Sequence, residues 1–537
     1  MSDQSVEEVV SFVQALRRGP GGAVAVLKDG EVVSQHVWGY ADMEKRIPMT
    51  PETRMPICSI TKQMLCMLMM DLERDPPATA PAPGEFRRQL ENRLRQVLRP
   101  EMTQDSGLTI QHLCNNQSGI RDYWALTTLW GGRPDGQFCL PDDADKTLER
   151  LASFHFQPGT QHSYANTNFH ILARLIEDVT QEPLERLLKE RIFLPLGMQT
   201  AVLAPDTACA PTPCVGYDGN TRSGFVPAVN RIQWSGDSGI VASLSDMIAY
   251  ERYLHSKWDD PESVYRAMAE PQTFDDGVPA LYGNGLSHVK IGGVLTVGHG
   301  GALRGFRLHR RHVPSERLSV VVMFNHEEDA EDTAGSILRQ LIDRRRESMA
   351  MNITPATGWY GIFFDPVDRL TINFSPNSVP GQLKLKYAGC DEVLELVDPY
   401  QAQSVTMTAT LQNDVVILHR LEDNKVIHAR SIDSAVESSS GPTDYRGEYY
   451  CADIDSTFHC TGHGEILYGA FDGFLGQGPV HIMQYLAQDI WSLYCPRGMD
   501  APAPGDWTVA FRRDENGVID GVTVGCWLAR KLEFKKK

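Results

Sequence analysis

No apolar stretch of the 537-residue sequence approaches the length of a membrane-spanning helix. The first residues, Met1-Ser2-Asp3-Gln4-Ser5-Val6-Glu7-Glu8, are acidic where a signal peptide is basic and then apolar. Both absences make the cytoplasm the expected compartment. No basic cluster is large enough to offset a formal net charge of −18, which argues against nucleic acid and anionic membranes as partners through charge repulsion. Eleven cysteines, an odd number spread from Cys58 to Cys526, form no C-x-x-C pair; they predict reduced thiols rather than a disulfide framework or a zinc site. H-E-x-x-H is missing, since His155, His162 and His170 lack its one-turn spacing, and so is a G-x-S-x-G elbow. Neither a zinc peptidase nor an α/β-hydrolase is expected, and no metal or cofactor is called for.

Against these absences stand Ser59 and Lys62, in Met55-Pro56-Ile57-Cys58-Ser59-Ile60-Thr61-Lys62-Gln63-Met64. The following run, Met64 to Leu72, contains no proline, glycine or β-branched residue and predicts a buried helix. On a helix, positions i and i+3 share a face, so the hydroxyl comes within reach of the amine. Burial also disfavours the ammonium form, and a neutral lysine can take the serine proton. Cys58, beside the candidate nucleophile, is expected as a small core residue. S-x-x-K alone arises by chance on the order of once in such a chain, and a second copy, Ser287-His288-Val289-Lys290, is present. Gly292-Gly293 places that copy on a β-hairpin, where i and i+3 point to opposite faces and cannot cooperate.

A chain of this length exceeds one hydrophobic core and predicts two to four domains. Up to about position 347, helical and strand patterns mix: Val24 to Val33 reads as a hairpin turning at Asp29-Gly30, and the strand Leu318 to Phe324 precedes a helix from Asp329 to Arg346. Beyond it, short alternating runs such as Leu370 to Phe374 and Leu383 to Tyr387 predict an all-β remainder. Ser438-Ser439-Ser440-Gly441-Pro442 has linker composition, and a related phrase opens each flanking segment: Trp359-Tyr360-Gly361-Ile362-Phe363-Phe364 and Tyr445-Arg446-Gly447-Glu448-Tyr449-Tyr450. Expected domains are 1–347, 348–440 and 441–537, the last two being copies of one β-barrel. Asp75 to Gly84, rich in proline and alanine, predicts an extended surface loop.

A serine nucleophile needs a proton relay, an oxyanion site and substrate contacts. Tyr164 and Asn166 follow the Pro158-Gly159 turn and precede a helix-like run, which places them at a helix entrance where active-site groups project. Beside a lysine, Tyr164 is expected to be drawn toward its phenolate. Taken alone, the pair reads more readily as a core tyrosine and a helix N-cap. A second Y-x-N, Tyr282-Gly283-Asn284, reads as a loop or bulge opening a strand. His299, within Gly298-His299-Gly300-Gly301, reads equally as facing a cleft from a strand that passes close to a substrate and as a solvent-facing histidine in a glycine-rich turn.

S-x-x-K, then Y-x-N about a hundred residues on, then H-x-G resemble the penicillin-recognising serine hydrolases, which include class C β-lactamases, DD-carboxypeptidases, related esterases and D-stereospecific aminopeptidases. His299-Gly300-Gly301 stands where β-lactamases carry K-[ST]-G, which argues against that activity. Arg54 to Ser59, Cys114 to Leu126, Asn230 to Trp234, Gly298 to Gly305 and Val524 to Arg530 resemble the bacterial D-aminopeptidases within this family.

The resemblance implies a multidomain α+β fold: a β-lactamase/transpeptidase-like catalytic domain followed by two antiparallel eight-stranded lipocalin-like β-barrels. It implies release of an N-terminal D-residue, such as D-alanine, from short peptides, amides or esters through a serine acyl-enzyme, by a homodimer. Ser59 is the implied nucleophile, Lys62 its base, Tyr164 the relay, Asn166 a substrate contact and His299 the opposite wall, with the backbone N–H groups of Ser59 and Ala302 facing the oxyanion. Asp500, on a last-barrel loop stiffened by Pro502 and Pro504, is the implied carboxylate for the substrate ammonium. An esterase or DD-carboxypeptidase using the same acylation, and a binding protein with a vestigial site, are the alternatives.

Overall fold

The computed structural model describes residues 3–209, 213–342, 353–387, 390–432, 445–463, 466–495, 497–499, 501–502 and 504–537. Its first part is built on one antiparallel sheet of eight strands, in the order Ile47–Pro48, Glu31–Asp42, Gly21–Lys28, Leu318–Phe324, Phe306–Val313, Val294–Leu303, Leu286–Ile291 and Tyr282–Gly283. The two-residue turn between Gly21–Lys28 and Glu31–Asp42 has positive φ at both Asp29 and Gly30 (54° and 82°), which suits the strand twist. Gly292 and Gly293 repeat this arrangement between the strands flanking the second S-x-x-K.

Alternation along these strands feeds two layers of helix. Val24, Val26, Val320 and Val322 pack with Val6, Val10 and Val13 of the helix Asp3–Leu16 and with Ile337 and Leu338 of the helix Ala330–Ile342. Ala23, Ala25, Leu27, Val321 and Met323 point the other way, into the core of the helices Thr61–Arg74, Asn166–Thr180 and Leu244–Trp258. Among the described residues no helix is long and apolar enough to cross a membrane.

Two antiparallel barrels follow. Strands from Gly361–Asp365 to Lys425–Ser431 close one eight-stranded barrel; in the second, pairing of Ser456–His463 with Ile466–Gly473 closes eight strands, and the short Gly476–Gln477 extends the sheet. The repeated phrases occupy equivalent places: Trp359 and Tyr445 are buried just before each first strand, and Gly361 and Gly447 there have φ of 133° and 149°. The barrels differ in attachment. The first has a core of its own, while Tyr449, Phe458, Val509, Val522 and Phe534 of the second belong to the same cluster as Met64, Leu65 and Leu126.

Some expectations change in detail. Pro83 and Gly84, expected in the surface loop, open the helix Pro83–Val97, because proline fits a first helical turn whose N–H would be unpaired anyway. The helix expected from Asp329 to Arg346 runs Ala330–Ile342, and its expected end lies outside the described residues. So do both expected domain boundaries, at 347/348 and 440/441, and the linker 438–442.

Candidate active site

Ser59 lies in the 3₁₀ turn Cys58–Ile60, which runs directly into the helix Thr61–Arg74 carrying Lys62. Cys58, just before the serine, has φ of 52°, a left-handed conformation that costs a non-glycine residue about 1–2 kcal/mol and here bends the chain at the nucleophile. Gly301 explains how the strand Val294–Leu303 reaches this turn: a β-carbon there would lie 2.2 Å from the Ile57 carbonyl oxygen. That approach leaves Ala302, His299 and Ser59 lining one cleft of about 960 Å³.

Lys62 is fully buried, and its Nζ reaches Ser59 Oγ at 2.9 Å, Asn166 Oδ1 at 2.7 Å and the Asp237 carbonyl at 2.6 Å. Two of these partners can only accept. A neutral amine that gives its two protons to them must turn its lone pair to the third, the serine hydroxyl. Burial lowers Lys62 to about 8, against the opposing charges of Asp237 and Asp122, so a neutral fraction exists near neutral pH. The buried Cys58 thiol is pushed up to about 12 by the same desolvation and stays protonated.

Asn166 is itself held. Its backbone N–H (2.7 Å) and side-chain Nδ2 (2.9 Å) both donate to Asp122 Oδ1, which turns Oδ1 of the amide toward Lys62. Asp122 caps the helix Tyr123–Leu129 by accepting from the Ala125 N–H, and burial raises it to about 6 against those hydrogen bonds and the Lys62 charge. Nothing in the spacing along the chain marks Asp122, the Asp237 carbonyl or Ser238, whose Oγ is 3.4 Å from Ser59 Oγ; Asp122 does fall within the stretch Cys114 to Leu126.

Tyr164 precedes the helix Asn166–Thr180, with its ring 5.0 Å from Lys62 Nζ. The expectation that lysine would draw it toward phenolate is overturned: burial raises its pKa well above the ordinary range, and a hydrogen bond with Ser59 offsets this only in part. It is a phenol, with a proton to give. His299 is neutral, lowered to about 3 by burial and then by the Lys62 charge. Its Nδ1–H donates to the Gly300 carbonyl (2.6 Å), and its Nε2 accepts from the Tyr282 hydroxyl at 3.1 Å. Tyr282, from the second Y-x-N, thus completes a wall with Tyr164 and His299, its ring 6.1 Å and 5.7 Å from theirs.

The second barrel touches this site at its Trp527-Leu528 turn. Asp122 N–H donates to the Leu528 carbonyl (3.1 Å), Ser163 Oγ to that of Trp527 (3.4 Å), and Arg121 Nε to that of Arg530 (3.0 Å). The strand Ala501–Pro502 abuts Val294–Leu303, and its partner Arg497–Gly498 abuts the helix Tyr123–Leu129; Asp500 lies outside the described residues.

The family described as beta-lactamase matches residues 9–343, and the one described as D-aminopeptidase, domain B, matches residues 352–535. D-aminopeptidases from Brucella canis and Brucella anthropi are 41% and 40% identical over 540 and 532 residues, covering 99% of this chain and 98% of each relative. The octameric penicillin-binding protein homologue from Pyrococcus abyssi is 20% identical, with a TM-score of 0.53 over 80% of this chain and 100% of that one. A D-stereospecific amidohydrolase from Streptomyces sp. is also 20% identical, with a TM-score of 0.50 over 64% of this chain and 99% of that one; both likenesses show a shared fold. Identity of that extent to the Brucella proteins, with two family matches laid end to end, makes this chain a member of the D-aminopeptidase family.

Proposed function

We propose that the chain is a D-stereospecific aminopeptidase that releases an N-terminal D-residue, such as D-alanine, from short peptides, amides or esters through an acyl-enzyme on Ser59. The observation that carries the chemistry is Lys62, desolvated and bound so that its only lone-pair direction is the Ser59 hydroxyl. In the first step Lys62 takes the serine proton as Ser59 Oγ attacks the scissile carbonyl, and the N–H groups of Ser59 and Ala302 receive the developing oxyanion. Tyr164 then gives its phenolic proton to the leaving amine and regains one from the Lys62 ammonium. Water attacks the ester with Lys62 again as base, freeing the D-amino acid. Asn166 and Asp122 act by fixing Lys62, and His299, with both ring nitrogens engaged, shapes the wall.

Preference for the D-residue and a free amine follows the Brucella relatives, which are D-aminopeptidases, and Asp500 is the proposed partner of the substrate ammonium. A desolvated ion pair there rejects substrates lacking the amine. The proposed state is a homodimer in the cytoplasm: free thiols at the described cysteines suit a reducing compartment, and light scattering at twice the 59.9 kDa chain mass would establish the dimer.

Intact-protein mass spectrometry with paired D- and L-alanine amides or esters, followed by adduct mapping, tests the reading. A D-selective acyl adduct on Ser59 is expected; an L-selective one sinks the substrate assignment.

A further inference from the structure

The cleft does not stop at Ser59. Gly300 pairs with His309, and His299 with Arg310, so His309 lies on the sheet face opposite to His299. Both histidines line the cleft, which therefore wraps around the strand Val294–Leu303. On that far side its walls are Glu331 of the helix Ala330–Ile342 and Glu392 and Glu422 of the first barrel. Their cations are few. Glu331 is 3.2 Å from Arg311 and Glu422 only 4.0 Å from Arg420, while Glu392 accepts from the Ser404 and Thr406 hydroxyls and has no cationic partner among the described residues. Burial, with Asp423, Glu392 and Glu331 adding to it against Arg420, pushes Glu422 up to about 7. Arg307 also lines the cleft, but it is held by Glu327 at 3.3 Å and by the Leu303 and Phe306 carbonyls, so the carboxylates face a common space in which negative charge is in excess.

A second observation points to an absent ligand. Arg311 Nε donates to His309 Nε2 at 3.2 Å, and because a guanidinium can only donate, the neutral imidazole carries its proton on Nδ1. His309 is 2% exposed, yet Nδ1 has no partner. It faces the gap at Gly300, where a β-carbon would lie 3.0 Å away. A buried N–H without an acceptor is costly unless something entering the cleft supplies one.

An aminopeptidase holds a single residue on the acyl side of the scissile bond, so a cleft that continues this far serves the leaving side. We propose that it is a subsite for the leaving residue, taking an amine-bearing side chain such as lysyl or ornithyl among Glu331, Glu392 and Glu422, and a substrate backbone carbonyl on His309 Nδ1. The inference rests on the aminopeptidase reading.

The test compares D-alanyl-lysinamide with D-alanyl-norleucinamide, whose side chain lacks the charge. The wild-type kcat/KM ratio is expected to favour lysine about tenfold, and E392Q/E422Q to bring the ratio within about twofold; taking the ratio cancels any general loss of activity. Calorimetric binding of both compounds to S59A should show the same preference without turnover. A wild-type ratio within twofold, or a tenfold preference surviving in E392Q/E422Q, overturns the subsite. Hydrolysis of D-alaninamide, which has no leaving residue, tests the underlying reading separately: its absence overturns the aminopeptidase, while binding to S59A still decides the subsite.

Discussion

The molecule contains the same four-residue pattern twice, and both serines line the same cleft. Ser59 and Lys62 sit where a 3₁₀ turn passes into a helix, 2.9 Å apart, the amine buried and the hydroxyl lining the cleft. Ser287 and Lys290 sit on the strand Leu286–Ile291: Ser287 Oγ donates to the Gly298 carbonyl at 2.9 Å, and Lys290 is exposed. The nitrogen facing Ser287 belongs to Arg311, at 3.4 Å, and a guanidinium does not accept a proton at ordinary pH. A serine and a lysine three positions apart become a nucleophile and its base only where the backbone curls them together and removes water from the amine.

Four measurements would break or sharpen that contrast. The largest effect is expected at the helical copy: S59A should lower kcat by about 10⁴-fold or more, and K62A by a comparable factor, with K290A near wild type. Equal losses at Lys62 and Lys290 would defeat the helix-against-strand explanation. K62R comes next. It keeps a cation and donors but cannot become neutral, so about a 10³-fold loss is expected; near wild-type turnover would show that a charge, not a base, is needed beside Ser59. Third, acetylating the substrate amine should reduce kcat/KM about a hundredfold or more, and D500N should show the same loss on the free-amine substrate; an acetylated substrate turned over equally well favours an esterase. The smallest change is in pH dependence. Neutral Lys62 is the active form, so kcat/KM should rise with pH and level off above about 8. Asp122 charge raises Lys62, hence D122N should move that inflection to lower pH, a shift that loss of a purely structural contact would not produce.

What the chain reveals about itself follows the range of each interaction. The Ser59–Lys62 geometry was legible because it depends on one helical turn, and the barrels because strands alternate with period two and repeat an opening phrase. Asp122 was not, for it meets Asn166 across 44 positions, nor was the Asp237 carbonyl, 175 positions from Lys62. Such contacts leave no periodic trace. Tyr164 shows a different difficulty: the neighbouring lysine suggested a phenolate, but the depth of burial outweighs it, and depth comes from packing. Tyr282 opens a strand, as its motif suggested; its hydroxyl meets His299 from the last strand of the sheet, a contact across 17 positions that the motif does not encode.

The core shared by the helical part and the second barrel sets an order in time. During synthesis Ser59, Lys62 and Asp122 leave the ribosome long before Trp527-Leu528, and Arg121 finds its partner carbonyl 409 positions later. Until the second barrel emerges, Trp130 lacks the Phe474 ring it packs against and the Ile454 carbonyl that accepts from its indole N–H. A nascent chain therefore carries the nucleophile and its base before the Leu528 carbonyl is there to accept from the Asp122 N–H.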